Sequence, residues 1–356
     1  APTPLTTRVP TALQVEQTNW SLNGQTDTIF RWEYDDGRDG LLALYEKGKQ
    51  QQWNTNERID WSLDLDPENP MELPDEAIGI FGSDMWNKLD AKGRARVRHH
   101  LQSWQISQFL HGEQGALICT AKIVQQVPSI DAKYYAATQV MDEARHVESY
   151  SRLLHEKFEM AYPITPPLKA LLDDTLSDQR WDFTYLGMQV LIEGLALAAF
   201  QRIRDHSTNS LAASVNAYVM QDEARHVAFG RLALRDYYPH LTQAERDERE
   251  EFVVDACYLM RDRFLSEEVW EPAGLDPKKC IAFAAQSAAM QHFRTRLFSR
   301  IVPTIKDIGL WGPKIQKAYI DMGVMDLAAI DSATVLAEDA KVADRFDAER
   351  AARAAE

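Results

Sequence analysis

An all-α fold built on a four-helix bundle is predicted by three features of this sequence. The hexapeptide Asp-Glu-Ala-Arg-His-Val occurs twice, at 142–147 and 222–227, 80 residues apart. Each copy follows a lone glutamate by the same interval, since Glu113 stands 30 residues before Glu143 and Glu193 stands 30 residues before Glu223. All four positions lie in long tracts of helical periodicity.

The elements follow in chain order. Residues 1–80 are rich in Pro, Thr, Asp, Asn and Trp and read as an irregular arm with one helix near 39–52. A helical tract at 83–126 is stopped by Pro128. On it Ile106, Phe109, Leu110, Glu113, Ala116, Leu117 and Thr120 share a stripe, which makes Glu113 the single acid on an apolar face. The next helix, 129–158, carries Gln139, Glu143, His146 and Tyr150 on one stripe. The Pro-rich break at 162–167 leads through a short helix to a third long helix at 179–206, with Leu186, Gln189, Val190, Glu193, Leu197 and Phe200 together. The fourth, 210–238, aligns Val215, Val219, Glu223, His226 and Gly230. Further helical patterns at 243–270, 277–300 and 332–355 are expected to flank the bundle, with the Ala-rich terminus read as a frayed end. The expected organisation is therefore an arm at 1–80, a bundle at 81–240, and flanking helices of the same domain at 241–356.

Bulk properties set limits on function. At 356 residues the chain can bury a large core. A net charge of −15 argues against nucleic acid and anionic membrane surfaces as partners. Cys119, Cys257 and Cys280 are dispersed and odd in number, which suggests a reducing compartment without disulfides or a zinc motif. Cys119 reads as a buried structural thiol. No charged-plus-apolar N-terminal signal is visible, and no apolar run is read as reaching the ~18 residues that span a bilayer. The longest, 185–200, is interrupted by Gln189 and Glu193. A soluble cytoplasmic protein is expected.

In each copy Glu-x-x-His puts a carboxylate and an imidazole on one helix face, about one turn apart. Two such helices and two further glutamates supply four carboxylates and two imidazoles. That is the ligand set of a two-metal carboxylate centre in a helix bundle. The alternative, a duplicated bundle held by salt bridges to Arg145 and Arg225, does not explain why two histidines meet four inward acids. Four carboxylates match the charge of two divalent ions, and an oxygen-rich six-ligand set favours iron or manganese over zinc. The assignment is Glu113, Glu143 and His146 on one iron and Glu193, Glu223 and His226 on the other. A manganese–iron pair is the alternative metal content. Asp142 and Asp222 are expected to accept from the ligating histidine of the opposite hairpin, with Arg145 and Arg225 neutralising this buried acid.

These residues resemble the ferritin-like di-iron carboxylate superfamily, and the paired Asp-Glu-x-Arg-His form is most similar to the bacterial multicomponent monooxygenase hydroxylases and the acyl-carrier-protein desaturases. The likeness covers about 85–240, and Tyr45-Glu46-Lys47 with Gln52-Trp53-Asn54 also resembles the hydroxylases. The resemblance implies that reduced iron activates O₂ to oxidise a substrate beside the metals, and that Glu143 and Glu223 bridge them. It also implies a homodimer. Three positions depart from, or bear on, particular branches. Leu197 stands where the methane and toluene enzymes have threonine. Val219 stands where the arylamine N-oxygenases have an extra histidine, which counts against close kinship with them. Tyr150 occupies the place of a radical tyrosine in ribonucleotide reductase, though desaturases have a tyrosine there too, and it reads as packing beside the ligands.

The leading expectation is a di-iron oxygenase that hydroxylates or N-oxygenates a small or medium organic substrate. Leu110, Leu117, Thr120, Gln189, Val190, Leu197, Phe200 and Val219 are the candidates for its pocket wall, with Gln189 and Thr120 as the polar groups that orient substrate. A desaturase acting on a carrier-tethered acyl chain is the second reading, and a ferroxidase-like or radical-generating iron protein the third. The sequence has no Gly-rich dinucleotide motif and no iron–sulfur cysteine cluster, so electrons are expected from a separate reductase or ferredoxin, or from the substrate.

Overall fold

Seven helices position the interior of this chain, whose computed structural model describes residues 12–13, 20–24, 26–34 and 37–355. Every regular element among these residues is helical. Most of the expected arm before residue 37 lies outside the described residues. Helix α1 is Asp39–Gln50, α2 Ala91–Gln126, α3 Ile130–Leu153, α4 Pro166–Ser177, α5 Trp181–His206, α6 Ser210–Tyr237 and α7 Gln243–Arg263.

Local chemistry sets these boundaries. Asp90 caps α2 by accepting from the Gly93 N–H at 2.7 Å, and the chain leaves the helix at Val127, before Pro128. Asn209 caps α6 through the Ala212 N–H at 3.0 Å. Thr242 and Glu245 form a capping box at the start of α7. Helices α2 and α3 pack together as one hairpin and α5 and α6 as the other, with α1 laid across both α3 and α6. Helix α7 packs on α4 and on the Tyr185–Ile192 stretch of α5. One apolar cluster runs through all of this, from Ile106 and Leu153 through Leu186 and Leu234 to Val253, Ile301 and Tyr319.

Two segments depart from α-helical winding. Residues Leu154–Phe158 extend α3 as a π-helix, and Tyr185–Ile192 is a π-helix inside α5 that ends at Glu193. A π turn holds more than four residues, so it rotates everything before Glu193 away from the register that a uniform 3.6 period assigns. Close approaches hold the helices in place. A Cβ on Gly187 would lie 2.5 Å from Thr175 Oγ1 of α4, and one on Gly230 would lie 2.4 Å from Gln189 Cβ.

The flanking helices are shorter and more numerous than the pattern suggests. The tract at 243–270 breaks after Arg263, where Ser266 takes a left-handed φ of 54°, and resumes as Glu267–Trp270. Ser287 ends Pro277–Gln286 and starts Ala288–Arg296. Residues 332–355 divide into Ser332–Asp339 and Asp344–Ala355, and Ile301–Asp307 and Pro313–Asp321 are further helices. One expectation needs correcting. Trp181–His206 is long and apolar enough to cross a membrane by length and composition, because its most apolar 18-residue stretch keeps a mean hydropathy of 1.5. Its most apolar stretch is 89% buried inside the fold.

Because Gly230 faces the Gln189 side chain, Gly230→Ala is expected to overpack the core and cost about 1–3 kcal/mol. Chemical denaturation reads this directly, and an unchanged midpoint would contradict the close approach.

Candidate metal centre

The four long helices α2, α3, α5 and α6 bring six side chains to one point between them. Ligand atoms of Glu113, Glu143, His146 and Glu223 lie within 4.8 Å of one another, and so do those of Glu143, Glu193, Glu223 and His226. Glu143 and Glu223 belong to both groups. All six residues are buried. His146 turns Nδ1 into the cluster, 3.0 Å from Glu223 Oε1 and 3.2 Å from Glu113 Oε2. His226 Nδ1 lies 3.1 Å from Glu143 Oε1 and 3.4 Å from Glu223 Oε1.

These close approaches leave the cluster unsatisfied. Glu143 Oε2, Glu193 Oε2, both carboxylate oxygens of Glu223 and His226 Nδ1 are fully shielded and have no hydrogen-bond partner. Buried polar atoms are normally paired, and unpaired acceptors cost free energy. Two metal ions would satisfy all of them, so the donor set fits a dimetal site.

A second layer repeats the pseudo-symmetry. Each repeat's aspartate serves the other repeat's histidine, with His146 Nε2 3.0 Å from Asp222 Oδ2 and His226 Nε2 3.1 Å from Asp142 Oδ2. That fixes the tautomer which presents Nδ1 to the cluster. Arg145 donates to Asp142 at 2.6 Å and Asp222 at 3.0 Å, while Arg225 donates to Asp222 at 2.5 Å and Asp142 at 3.3 Å. Residues just after α1 close this layer. Gln52 accepts from Arg145 and Gln51 accepts from Arg225, both at 2.7 Å, and the Trp53 indole donates to Asp222 at 2.8 Å. Sequence reasoning did not place Gln51, Gln52 or Trp53 at the site, although the likeness at 52–54 had marked two of them.

The electrostatics follow from burial. Burial and the Glu223 charge hold the carboxyls of Glu113 and Glu193 well above the usual range. Burial opposes ionisation of Asp222, but Arg225, His146 and Arg145 outweigh it and hold its pKa well below the ordinary value. Six carboxylates and two guanidiniums leave a charge of −4 with neutral imidazoles, which two divalent ions would cancel.

The surroundings are less symmetric than the cluster. Gln139 donates to Glu143 Oε1 and Glu193 Oε1, both at 3.0 Å, and accepts from Gln189 at 2.7 Å. Its counterpart Val219 is buried and apolar. Tyr150 donates to Asn216 at 2.9 Å and packs against Phe109 and Phe200, so its hydroxyl is engaged away from the carboxylates. A cavity of about 40 Å³ reaches Glu113, Glu193 and Glu223. Its wall includes Phe109, Ala116, Met188, Ile192 and Phe200, with Leu168 from α4, Met260 and Arg263 from α7, and Phe264.

Of the expected pocket wall, Phe200 lines this cavity, while Leu110, Leu117, Thr120, Gln189, Val190, Leu197 and Val219 lie outside its lining. The difference has identifiable causes at Val190, Thr120 and Gln189. The π segment turns Met188 and Ile192 to the cavity in place of Val190. Thr120 spends its hydroxyl on the Ala116 carbonyl at 2.7 Å, and Gln189 is committed to Gln139. The remaining wall comes from α4 and from the end of α7, beyond the bundle.

A sequence profile of the family described as P-aminobenzoate N-oxygenase AurF matches residues 36–309. This overturns the expectation, drawn from Val219, of distance from the arylamine N-oxygenases. The match spans every helix that bears the cluster, and Val219 leaves one imidazole in each of the two ligand groups. No curated protein matches the chain. Among solved structures, "Protein 19 with aldehyde deformylating oxidase activity from Synechococcus" is 15% identical, with 65% of this chain and 100% of that chain covered and a TM-score of 0.46. An R2-like ligand-binding oxidase, a glycine-to-phenylalanine mutant with anaerobically reconstituted Mn/Fe cofactor, is 17% identical, with 79% and 96% covered and a TM-score of 0.44.

Arg225→Met would strand Asp142 and Asp222 with one guanidinium between them. The expected loss of stability in the metal-free protein is about 3–5 kcal/mol, the cost of breaking a buried ion pair from one side. Urea denaturation measures it, and a loss within experimental error would contradict the charge accounting.

Proposed function

This chain belongs to the P-aminobenzoate N-oxygenase AurF family of non-haem di-iron oxygenases, and we propose that it transfers oxygen from O₂ to the nitrogen of a small aromatic amine. Glu113, Glu143 and His146 would hold one iron and Glu193, Glu223 and His226 the other, with Glu143 and Glu223 shared because each stands in both ligand groups. The observation that carries this reading is the set of shielded, unpartnered oxygens and the His226 nitrogen at the centre of the bundle.

When bound, the iron pair supplies the redox chemistry that activates O₂. The protein's own residues supply the rest. Asp142 and Asp222 orient the two imidazoles, and Arg145 and Arg225 each bond both aspartates. Gln139 holds Glu143 and Glu193 together and is not part of the cavity lining. Phe109, Ile192 and Phe200 make an apolar wall that excludes water from the face where Glu113, Glu193 and Glu223 meet the cavity. A cavity of about 40 Å³ takes one or two small molecules of the size of water. An aromatic amine therefore enters only as the wall of α4 and α7 opens.

Electrons would come from an external reductase or ferredoxin. Trp53 lines an open groove of about 730 Å³ and bonds Asp222, which in turn bonds His146, so this chain of contacts links the surface to the cluster. The acting unit would be a cytoplasmic homodimer.

Anaerobic reconstitution should load about two irons per chain, the count of a paired-metal site. Glu143→Ala and His226→Ala should each lower that number by elemental analysis, and full loading in both variants would refute the assignment. With 4-aminobenzoate, a chemical or protein reductant and ¹⁸O₂, the loaded protein should yield a product carrying ¹⁸O on nitrogen by mass spectrometry. Iron taken up far beyond two per chain, with no labelled product, would contradict an oxygenase.

A further inference from the structure

The cluster has a second connection to the surface, through the open groove of about 730 Å³ between α1 and α3. None of the groove's lining residues belongs to the cavity beside Phe109 and Phe200. Two chain neighbours in its lining, Gln52 and Trp53, each hold one of the aspartates that orient the imidazoles. The Trp53 indole donates to Asp222 at 2.8 Å, and Asp222 meets His146 Nε2 at 3.0 Å. The Gln52 amide donates to Asp142 at 2.8 Å, and Asp142 meets His226 Nε2 at 3.1 Å. Both imidazoles therefore stand two hydrogen bonds from one stretch of the surface. Only the Trp53 route begins on an extended π system. The guanidiniums of Arg145 and Arg58 lie 4.7 and 5.6 Å from that ring, and two cations there oppose the loss of an electron from it. The indole is thus suited to bridge an incoming electron and not to give up one of its own.

The mouth of the groove narrows what brings that electron. Its lining carries three cations, Lys49, Lys133 and Arg145, and one acid, Glu57, on a chain with 39 basic and 54 acidic residues. Arg145 is committed to the aspartates below, and Lys49 shares its charge with Glu46 at 2.6 Å. Lys133 meets the Val124 and Gln125 carbonyls at 2.8 and 3.3 Å, and among the described residues no carboxylate pairs with it. Apolar surface lies beside these charges. Met141 is 60% exposed, and the rings of Tyr45 and Tyr134 stand 5.5 Å apart. An open groove does not enclose the roughly 70–90% of a small ligand's surface that a small-molecule site buries. Aromatic and Met side chains edged by positive charge instead suit a protein of opposite charge that docks briefly over a small area.

We propose that this groove docks an acidic iron–sulfur protein whose electrons enter at Trp53. The proposal rests on the reading above for the need of an external donor and names that donor's class and its place of contact. Each docking oxidises the donor's cluster by one electron, and two successive dockings turn a ferric pair into the ferrous pair that O₂ requires. No bond forms or breaks in Trp53, whose N–H stays on Asp222.

A plant-type ferredoxin is the probe, reduced and mixed anaerobically with the iron-loaded ferric protein in a stopped-flow instrument. Return of the oxidised ferredoxin's visible absorbance counts the electrons moved. The rate should saturate with ferredoxin concentration and fall as salt is added. Lys49→Glu and Met141→Glu should each raise the half-saturating concentration about 10-fold. Each loss is read against reduction of the same variant by reduced methyl viologen, which needs no docking, so a variant that merely misfolds loses both. Trp53→Phe should keep the half-saturating concentration and the iron content and slow the saturating rate, a split that a purely structural tryptophan would not give. No saturation with ferredoxin, saturation indifferent to both charge substitutions, or an unchanged saturating rate in Trp53→Phe overturns the proposal. Saturation by free reduced flavin in place of ferredoxin also overturns it, and gives the groove to a small-molecule donor. Ferredoxin-driven reduction that obeys all three variants, without oxygen transfer to an amine, would refute the N-oxygenase reading and leave this one standing. Oxygen transfer at an unchanged ferredoxin-dependent rate in all three would do the reverse.

Discussion

Six carboxylates and two guanidiniums are buried together at the centre of this fold, and fully ionised beside neutral imidazoles they would carry a charge of −4 that needs compensating cations. That imbalance organises the layers around it. Asp142 and Asp222 cross from one hairpin to the histidine of the other, so the two halves of the bundle are tied through the site itself. The arginines lie between the aspartates, and the far ends of their guanidiniums reach Gln51 and Gln52 at the end of α1. The N-terminal arm, which has no part in the bundle, is thereby a part of the metal-binding chemistry.

The pseudo-twofold repeat is broken one turn away from the ligands, and each break has a steric partner. Gly230 stands where the other repeat has Tyr150, and its missing Cβ is what lets Gln189 approach. Gln189 then fixes Gln139, which binds Glu143 and Glu193. On the other side, Tyr150 turns its hydroxyl to Asn216 and adds its ring to Phe109 and Phe200, two rings of the cavity wall. Amides close the cluster at Gln139 and Gln189, and apolar and aromatic side chains make most of the cavity wall beside Glu113, Glu193 and Glu223.

Much of this was legible in the sequence because a repeat carries its own geometry. The interval from each glutamate to its Glu-x-x-His needs two long helices and a short turn, and the six residues so marked converge in space. The cavity was not legible in the same way. A uniform 3.6-residue period cannot anticipate the π segment at Tyr185–Ile192, which moved the wall to Met188 and Ile192. Nor does any periodic mark link Leu168, Met260 and Arg263 to a bundle that ends before α7 begins. Val219 was misread for a related reason. A single missing donor was weighed against kinship, whereas the family match follows the helices from residue 36 to 309.

The most direct test is anomalous scattering at the iron edge from crystals of the iron-loaded protein. Two peaks are predicted, one enclosed by Glu113, Glu143, His146 and Glu223 and the other by Glu143, Glu193, Glu223 and His226. A single peak, or iron held elsewhere with the six side chains unliganded, would contradict the claim that this buried charge exists to hold a metal pair.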